Sequence, residues 1–168
     1  FIASASSSSV VFSVDLSSDG NQPFKVGNIT AFVNGEIYNS EKLKKEFFSE
    51  INFFSKSDCE IIPHMYVKFG VDFIRYLDGM FSIVIIDDNK NKIYLIKDSF
   101  GKKPLYFKKD PKSDSIIFSS ESRINNTESK IDNKNLTTLL FFQFKFFDQT
   151  VYDDVNAIPP GSYVEYDH

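Results

Sequence analysis

One run limits the fold of this chain more than any other. Residues 81–86, Phe-Ser-Ile-Val-Ile-Ile, form a continuous apolar run of strand length. Residues 92–96 repeat the pattern, and the polar stretch from Asp87 to Asn91 between them supplies a hairpin turn. A hairpin this tight fixes antiparallel pairing. Residues 105–108 and 115–119 read as a second strand pair around Asp110-Pro111. Further strands are expected at 10–16, at 29–33 ending on Asn34-Gly35, at 155–158 and at 162–166, with a turn over Asp19-Gly20-Asn21-Gln22-Pro23.

Helical spacing appears in three places. Asn39 or Ser40 can cap a helix over 41–48. Ser57 or Asp58 can cap a second, in which Ile61, Ile62, Met65, Tyr66 and Phe69 recur at helical intervals before Gly70. Residues 136–142 are helix-like, and a short helix fits 71–77. The total is about eight strands with two or three helices, an α+β class with helices covering antiparallel sheets.

Composition removes several functions. The 168 residues are the size of one domain, and 42% hydrophobic with 25% charged is a globular profile. A net charge of −4 with scattered Lys and Arg excludes a nucleic-acid face. Cys59 is the one cysteine, so no disulfide framework exists, and a reducing, cytoplasmic setting is the expectation. No apolar run approaches the roughly 18 residues of a membrane span, and the start is a poor signal peptide. The sequence shows no repeat, zinc spacing or P-loop, and no metal site is expected. Residues 4–9 are small, polar and low in complexity.

Four segments stand out together: Phe32-Val33-Asn34-Gly35-Glu36-Ile37-Tyr38-Asn39; Ser57-Asp58-Cys59-Glu60-Ile61-Ile62; Leu77-Asp78-Gly79-Met80-Phe81-Ser82; and Lys97-Asp98-Ser99-Phe100-Gly101-Lys102-Lys103-Pro104-Leu105-Tyr106. Phe118-Ser119-Ser120-Glu121 and Ile158-Pro159-Pro160-Gly161-Ser162-Tyr163 follow them. In this order they resemble the class II glutamine amidotransferase domain of asparagine synthetases of the B type, over residues 10–167. The resemblance implies an N-terminal-nucleophile hydrolase fold, a four-layer α/β/β/α sandwich of antiparallel sheets. It also implies acyl transfer: a thiolate attacks the glutamine carboxamide, ammonia leaves, and water hydrolyses the thioester. Glutamine is the implied substrate. The implied partner is a C-terminal synthetase domain that uses ATP and Mg²⁺, with no cofactor in this domain and a homodimer as a further possibility.

The same resemblance assigns roles to residues. Asn34 and Gly35 match an oxyanion hole, in which a carboxamide N–H and a glycine N–H converge on one developing charge. Taken alone, the pair reads first as a hairpin turn, and only the ordered set of segments favours the oxyanion role. Asp58 matches the carboxylate that holds the α-ammonium of glutamine, and it is also a natural helix N-cap. Glu36 orients that loop or is a solvated turn carboxylate. Cys59 reads as a core residue and not a nucleophile. His64 carries no triad or metal pattern, and His168 carries no information. Lys97-Asp98 stands where the resemblance has Arg-Asp, and a forked contact is altered by that exchange. Gly101 and Pro104 shape a turn.

The pattern departs at the start. The family opens with Cys-Gly, followed by a helix, an Arg-Gly-Pro-like loop and an Arg that holds the α-carboxylate of glutamine. Here residue 1 is Phe, and Val10 or Val11 falls at the Arg. The family's first strand and helix are absent or shrunk to residues 4–9. Residues 1–9 are therefore either a low-complexity lead-in or a truncated first strand, with the amidotransferase domain over 10–168. No nucleophile is assigned. A chain beginning at Phe1 is expected to lack glutaminase activity, and a non-catalytic interaction or regulatory module is the alternative reading.

Overall fold

The computed structural model describes residues 2–6, 9–13, 22–110, 115–124, 129–143 and 148–167. In chain order the strands are β1 (Ile2–Ser6), β2 (Ser9–Ser13), β3 (Phe24–Val26), β4 (Ile29–Ile37), β5 (Gly79–Asp87), β6 (Lys92–Lys97), β7 (Tyr106–Lys109), β8 (Ile116–Ser119), β9 (Asn156–Ala157) and β10 (Tyr163–Asp167). The helices are α1 (Ser40–Phe47), α2 (Ile61–Phe69) and α3 (Asn133–Phe142), with 3₁₀ segments at Asp58–Glu60 and Gly70–Tyr76. The expected turn at Asp19 to Asn21, the end of the expected strand at 14–16, Pro111, Phe1 and His168 lie outside the described residues.

Two antiparallel sheets result. One has the order β2-β1-β8-β7-β9 and the other β10-β6-β5-β4-β3. β5 explains the constraining run. Ile83 and Ile85 face a core shared with α1 and α2, while Val84 and Ile86 face a second core between the sheets. A central strand covered on both faces has no polar side to display. β6 divides the same way, with Tyr94 and Ile96 toward the helices and Ile93 and Leu95 between the sheets. β10, by contrast, alternates exposed and half-buried residues, as an edge strand with one wet face should.

Phe32 of β4 and Phe118 of β8 join the two sheets. Both are fully buried, and their rings lie 6.0 Å apart at 56°. Burying a side chain of that size contributes about 1.5–3 kcal/mol. Among the described residues the packed layers are helices, sheet and sheet, three of the four layers of the expected sandwich. α3 buries none of its residues.

The structure differs from the sequence expectations at several points. Ile2–Ser6, for which a lead-in and a shortened strand stood as alternatives, is a strand paired with both β2 and β8. β3 was not anticipated. Most important, β4 does not end at Asn34-Gly35. It runs on to Ile37, with Asn34 opposite Ser82 and Gly35 opposite Phe81 on β5. Gly35 has φ +142°, and a Cβ there would fall 1.9 Å from the Met80 carbonyl oxygen. Glycine is demanded by the close approach of β5, not by a hairpin turn.

Candidate active site

Among the described residues the second half of β4 is an open edge, because β3 pairs only with Ile29, Thr30 and Ala31. Along an antiparallel strand, alternate residues turn both backbone groups toward the same neighbour. Phe81 of β5 shows which way they turn here. Its N–H donates to Asp98 Oδ2 (3.2 Å), and its carbonyl accepts from the Asp98 N–H (3.0 Å). Both Phe81 groups therefore face away from β4. The Gly35 groups opposite them face the open edge, as do those of Val33 and Ile37.

Side chains cap this edge beyond the end of β3. The Val33 N–H donates to Gln22 Oε1 (2.7 Å), and Gln22 Nε2 donates to the Val33 carbonyl (2.6 Å). The Cys59 thiol donates to the Gly35 carbonyl at 3.6 Å, and the Ile37 N–H donates to Asp58 Oδ2 at 2.5 Å. Between these capped groups the Gly35 N–H faces no acceptor among the described residues. The half-buried Asn34 carboxamide likewise has no hydrogen-bond partner among them. By strand alternation Asn34 and the exposed Glu36 share the face on which Phe32 enters the inter-sheet core.

The segment carrying Asp58 is shaped by its neighbours. Ser57, not Asp58, supplies the cap: Ser57 Oγ accepts from the Cys59 N–H at 3.2 Å. The Asp58 carboxylate is thereby released from the capping role that the sequence allowed, and it reaches across to β4. Its second oxygen lies 3.6 Å from Cys59 Sγ and shares the single thiol hydrogen with the Gly35 carbonyl. Asp58 remains half-exposed, so its carboxylate retains acceptor capacity on the solvent side.

Cys59 itself is buried at 5% exposure. Burial pushes its thiol up to about 12, and the Asp58 charge and hydrogen bond add to the shift. A thiol held neutral is a poor nucleophile. The structure therefore places Cys59 behind the Gly35–Glu36 peptide as a donor to its carbonyl. His64 sits against the rings of Phe48 and Phe53, at 5.8 and 5.1 Å.

Two supports of the site are hard to see in the sequence. Asp98, at 2% exposure, accepts from the backbone N–H groups of Phe81, Phe100 and Lys102, at 3.2, 2.9 and 3.1 Å. Its carbonyl also accepts from the N–H groups of Gly101 (3.0 Å) and Gly161 (2.8 Å). It organises the loop after β6 and anchors the start of β5 opposite Gly35. The signal was a carboxylate directly followed by a turn with Gly101. Asn39 joins the far end of β4 to the chain before β5: its Nδ2 donates to the Tyr76 carbonyl (2.8 Å), and its Oδ1 accepts from the Asp78 N–H (3.0 Å). Gly79 is needed there as well, because a Cβ would fall 2.2 Å from the Glu36 carbonyl oxygen.

A cleft of about 310 Å³ lies beside this junction, lined by Asp78, Gly79, Phe81 and Asp98 among others. A larger one of about 830 Å³ lies beyond β3, near Glu60 and His64. Neither is lined by Asn34, Gly35 or Asp58. Among the described residues no group of three His, Cys, Asp or Glu side chains could hold a metal ion. No helix among them is long and apolar enough to cross a membrane.

Two facing antiparallel sheets with helices packed on one of them define an α+β sandwich fold. The glutamine phosphoribosylpyrophosphate amidotransferase of B. subtilis superposes with a TM-score of 0.52 over 87% of this chain and 31% of its own, at 16% identity. The model of the glutamine amidotransferase domain family matches residues 9–168, and the chain belongs to that family. The glutamine-hydrolysing asparagine synthetase 2 of Bacillus subtilis is 45% identical over 105 residues, 61% of this chain and 14% of that protein. The amidase chry2 of Gibberella zeae is 42% identical over 96 residues, 56% of this chain and 14% of its own length. The chain thus spans about one-seventh of the length of these relatives.

Proposed function

We propose that this domain releases ammonia from the carboxamide of glutamine, for transfer to aspartate by a synthetase domain that uses ATP and Mg²⁺. The observation that carries the reading is a pair of donors on β4 without an acceptor among the described residues, the Gly35 N–H and the Asn34 carboxamide, with the Asp58 carboxylate bonded two residues along the same edge.

A nucleophile that the described residues do not supply bonds to the substrate carbonyl carbon, and the C=O π pair moves onto oxygen as an oxyanion. Donors already fixed in direction stabilise that charge without reorganising. Asp58 receives the α-ammonium and aligns the carboxamide with the donors. Glu36 borders the site on the exposed side. Collapse of the adduct expels ammonia and leaves an acyl group, which water then hydrolyses to glutamate. The nucleophile is not Cys59, which stays protonated and turned toward the Gly35 carbonyl. The reaction needs no cofactor in this domain.

The test uses the complete gene product with its native N-terminus. Asn34→Ala should lower kcat for glutamine hydrolysis by about 10²–10³ and leave synthesis from free ammonia intact. Asp58→Asn should instead raise KM for glutamine by roughly 10-fold or more, the worth of one charged hydrogen bond. Equal loss of both activities in Asn34→Ala would remove the oxyanion assignment. Absence of any glutamine turnover in the native protein would favour a non-catalytic module.

A further inference from the structure

The register of β3 on β4 pairs Phe24 with Ala31 and Val26 with Ile29. Continued by two residues, it would set residue 22 opposite Val33. Gln22 does stand opposite Val33, but it pairs through its side chain. One carboxamide makes both bonds that a strand residue would make, accepting from the Val33 N–H at 2.7 Å and donating to its carbonyl at 2.6 Å. The carboxamide of Asn or Gln carries an acceptor oxygen and a donor nitrogen side by side on one planar group, which matches the two groups of a strand residue.

The position of this clamp matters. The Val33 carbonyl belongs to the peptide that precedes the one carrying the Gly35 N–H. The Gly35 carbonyl, held by the Cys59 thiol, belongs to the peptide that follows. The Gly35 N–H is therefore flanked on the open edge by two peptides that side chains hold in place, while β5 holds the other edge of the strand.

We propose that Gln22 is a positioning residue for the oxyanion site: it fixes the Val33–Asn34 peptide so that the Gly35 N–H and the Asn34 carboxamide keep a common aim. This rests on the oxyanion reading above, and it adds a residue outside the four segments that carry the family resemblance.

The test is solution NMR of the ¹⁵N-labelled full chain, with glutamine as the probe. In the unaltered protein, glutamine should shift the resonances of the Gly35 amide and the Asn34 side chain. Gln22→Ala should strongly reduce both shifts. The glutamine affinity read at Ile37, next to Asp58, should be nearly unchanged, and the variant should still unfold in one cooperative transition at a somewhat lower temperature. Gln22→Glu keeps the acceptor for the Val33 N–H but loses the donor, and it should show the same loss should Gln22→Ala fail to fold. Full-sized Gly35 and Asn34 shifts in a folded Gln22 variant overturn the proposal and spare the oxyanion reading. If glutamine leaves both resonances unmoved in the unaltered protein, the oxyanion reading falls and the Gln22 proposal falls with it.

Discussion

The two edges of β4 are held by different chemistry. Toward β5 the strand is paired along its whole length, from Ile29 opposite Asp87 to Ile37 opposite Gly79. Toward the other side, pairing with β3 stops at Ala31, and beyond it Gln22, Cys59 and Asp58 take the place of a strand. A continuous ladder satisfies every backbone group and leaves none for a ligand. A row of side-chain caps can leave a donor out, and among the described residues the donor left out here is the Gly35 N–H. The comparison teaches that stability and chemistry are separated across a single strand. Changes on the β5 side should cost folding, and changes on the capped side should cost mainly function.

The strongest way to break this division is at Gly35 itself. A Cβ would meet the β5 backbone at 1.9 Å, and φ is +142°. Gly35→Ala should therefore destabilise the fold by about 3 kcal/mol or more, as strain at a special backbone position does. Urea unfolding reads the cost. A well-folded variant would show that β4 and β5 are not in such close approach.

Asp98→Ala comes next. It removes a buried carboxylate from the backbone N–H groups of Phe81, Phe100 and Lys102. The expected loss is roughly 2–4 kcal/mol, since buried donors are left without an acceptor. Thermal unfolding measures it, and a negligible change would place the anchor of β5 elsewhere.

On the capped side the effects should be smaller in stability. Cys59→Ala loses the thiol donor to the Gly35 carbonyl and should cost about 1 kcal/mol. Cys59→Ser keeps a donor and should retain the response of Gly35 to glutamine. If Cys59→Ser and Cys59→Ala behave alike in that response, the thiol hydrogen bond has no positioning role.

The smallest effect sharpens the picture with pH. Burial lowers the His64 value from 6.5, partly offset by the Glu60 charge. The stability linked to neutral His64 is therefore present above pH 6.5 and is lost as pH falls below it. For Glu60, burial acts upward but is outweighed by hydrogen bonds from Ser55 and Phe54, which bring it below 4.5. Its contribution is present above pH 4.5 and is lost as pH falls through the lower folded value. Acid should thus loosen the segment around residues 53–57 in two stages, readable by hydrogen exchange at Phe54 and Ser55. One-stage loss across the whole chain would contradict the local origin.

What the sequence made legible follows the same division. The β5–β6 hairpin could be read because both strands are buried on both faces, so their apolar runs have no competing pattern. α2 could be read because its apolar residues recur before Gly70. Its start was displaced by a 3₁₀ turn that Ser57 caps. α3 begins at Asn133 rather than 136 because Asp132 caps it through the N–H groups of Lys134 and Asn135. β3 was hidden because Phe-Lys-Val after Pro23 is too short to show a period. Asn34-Gly35 was ambiguous because the same dipeptide serves a hairpin turn and a close strand approach. Only the β5 backbone, forty-odd residues further along the chain, decides between them. Gln22 and Asp98 were missed as supports for a common reason: their partners are backbone groups, and those leave no mark in a side-chain pattern.

The measurement closest to the central claim is a structure of this protein with glutamine bound. The account predicts that the substrate carboxamide oxygen lies at about 2.7–3.2 Å from both Asn34 Nδ2 and the Gly35 nitrogen, with the α-ammonium against Asp58. Glutamine seated in another cleft, with the Gly35 N–H bonded to a protein acceptor, would contradict it.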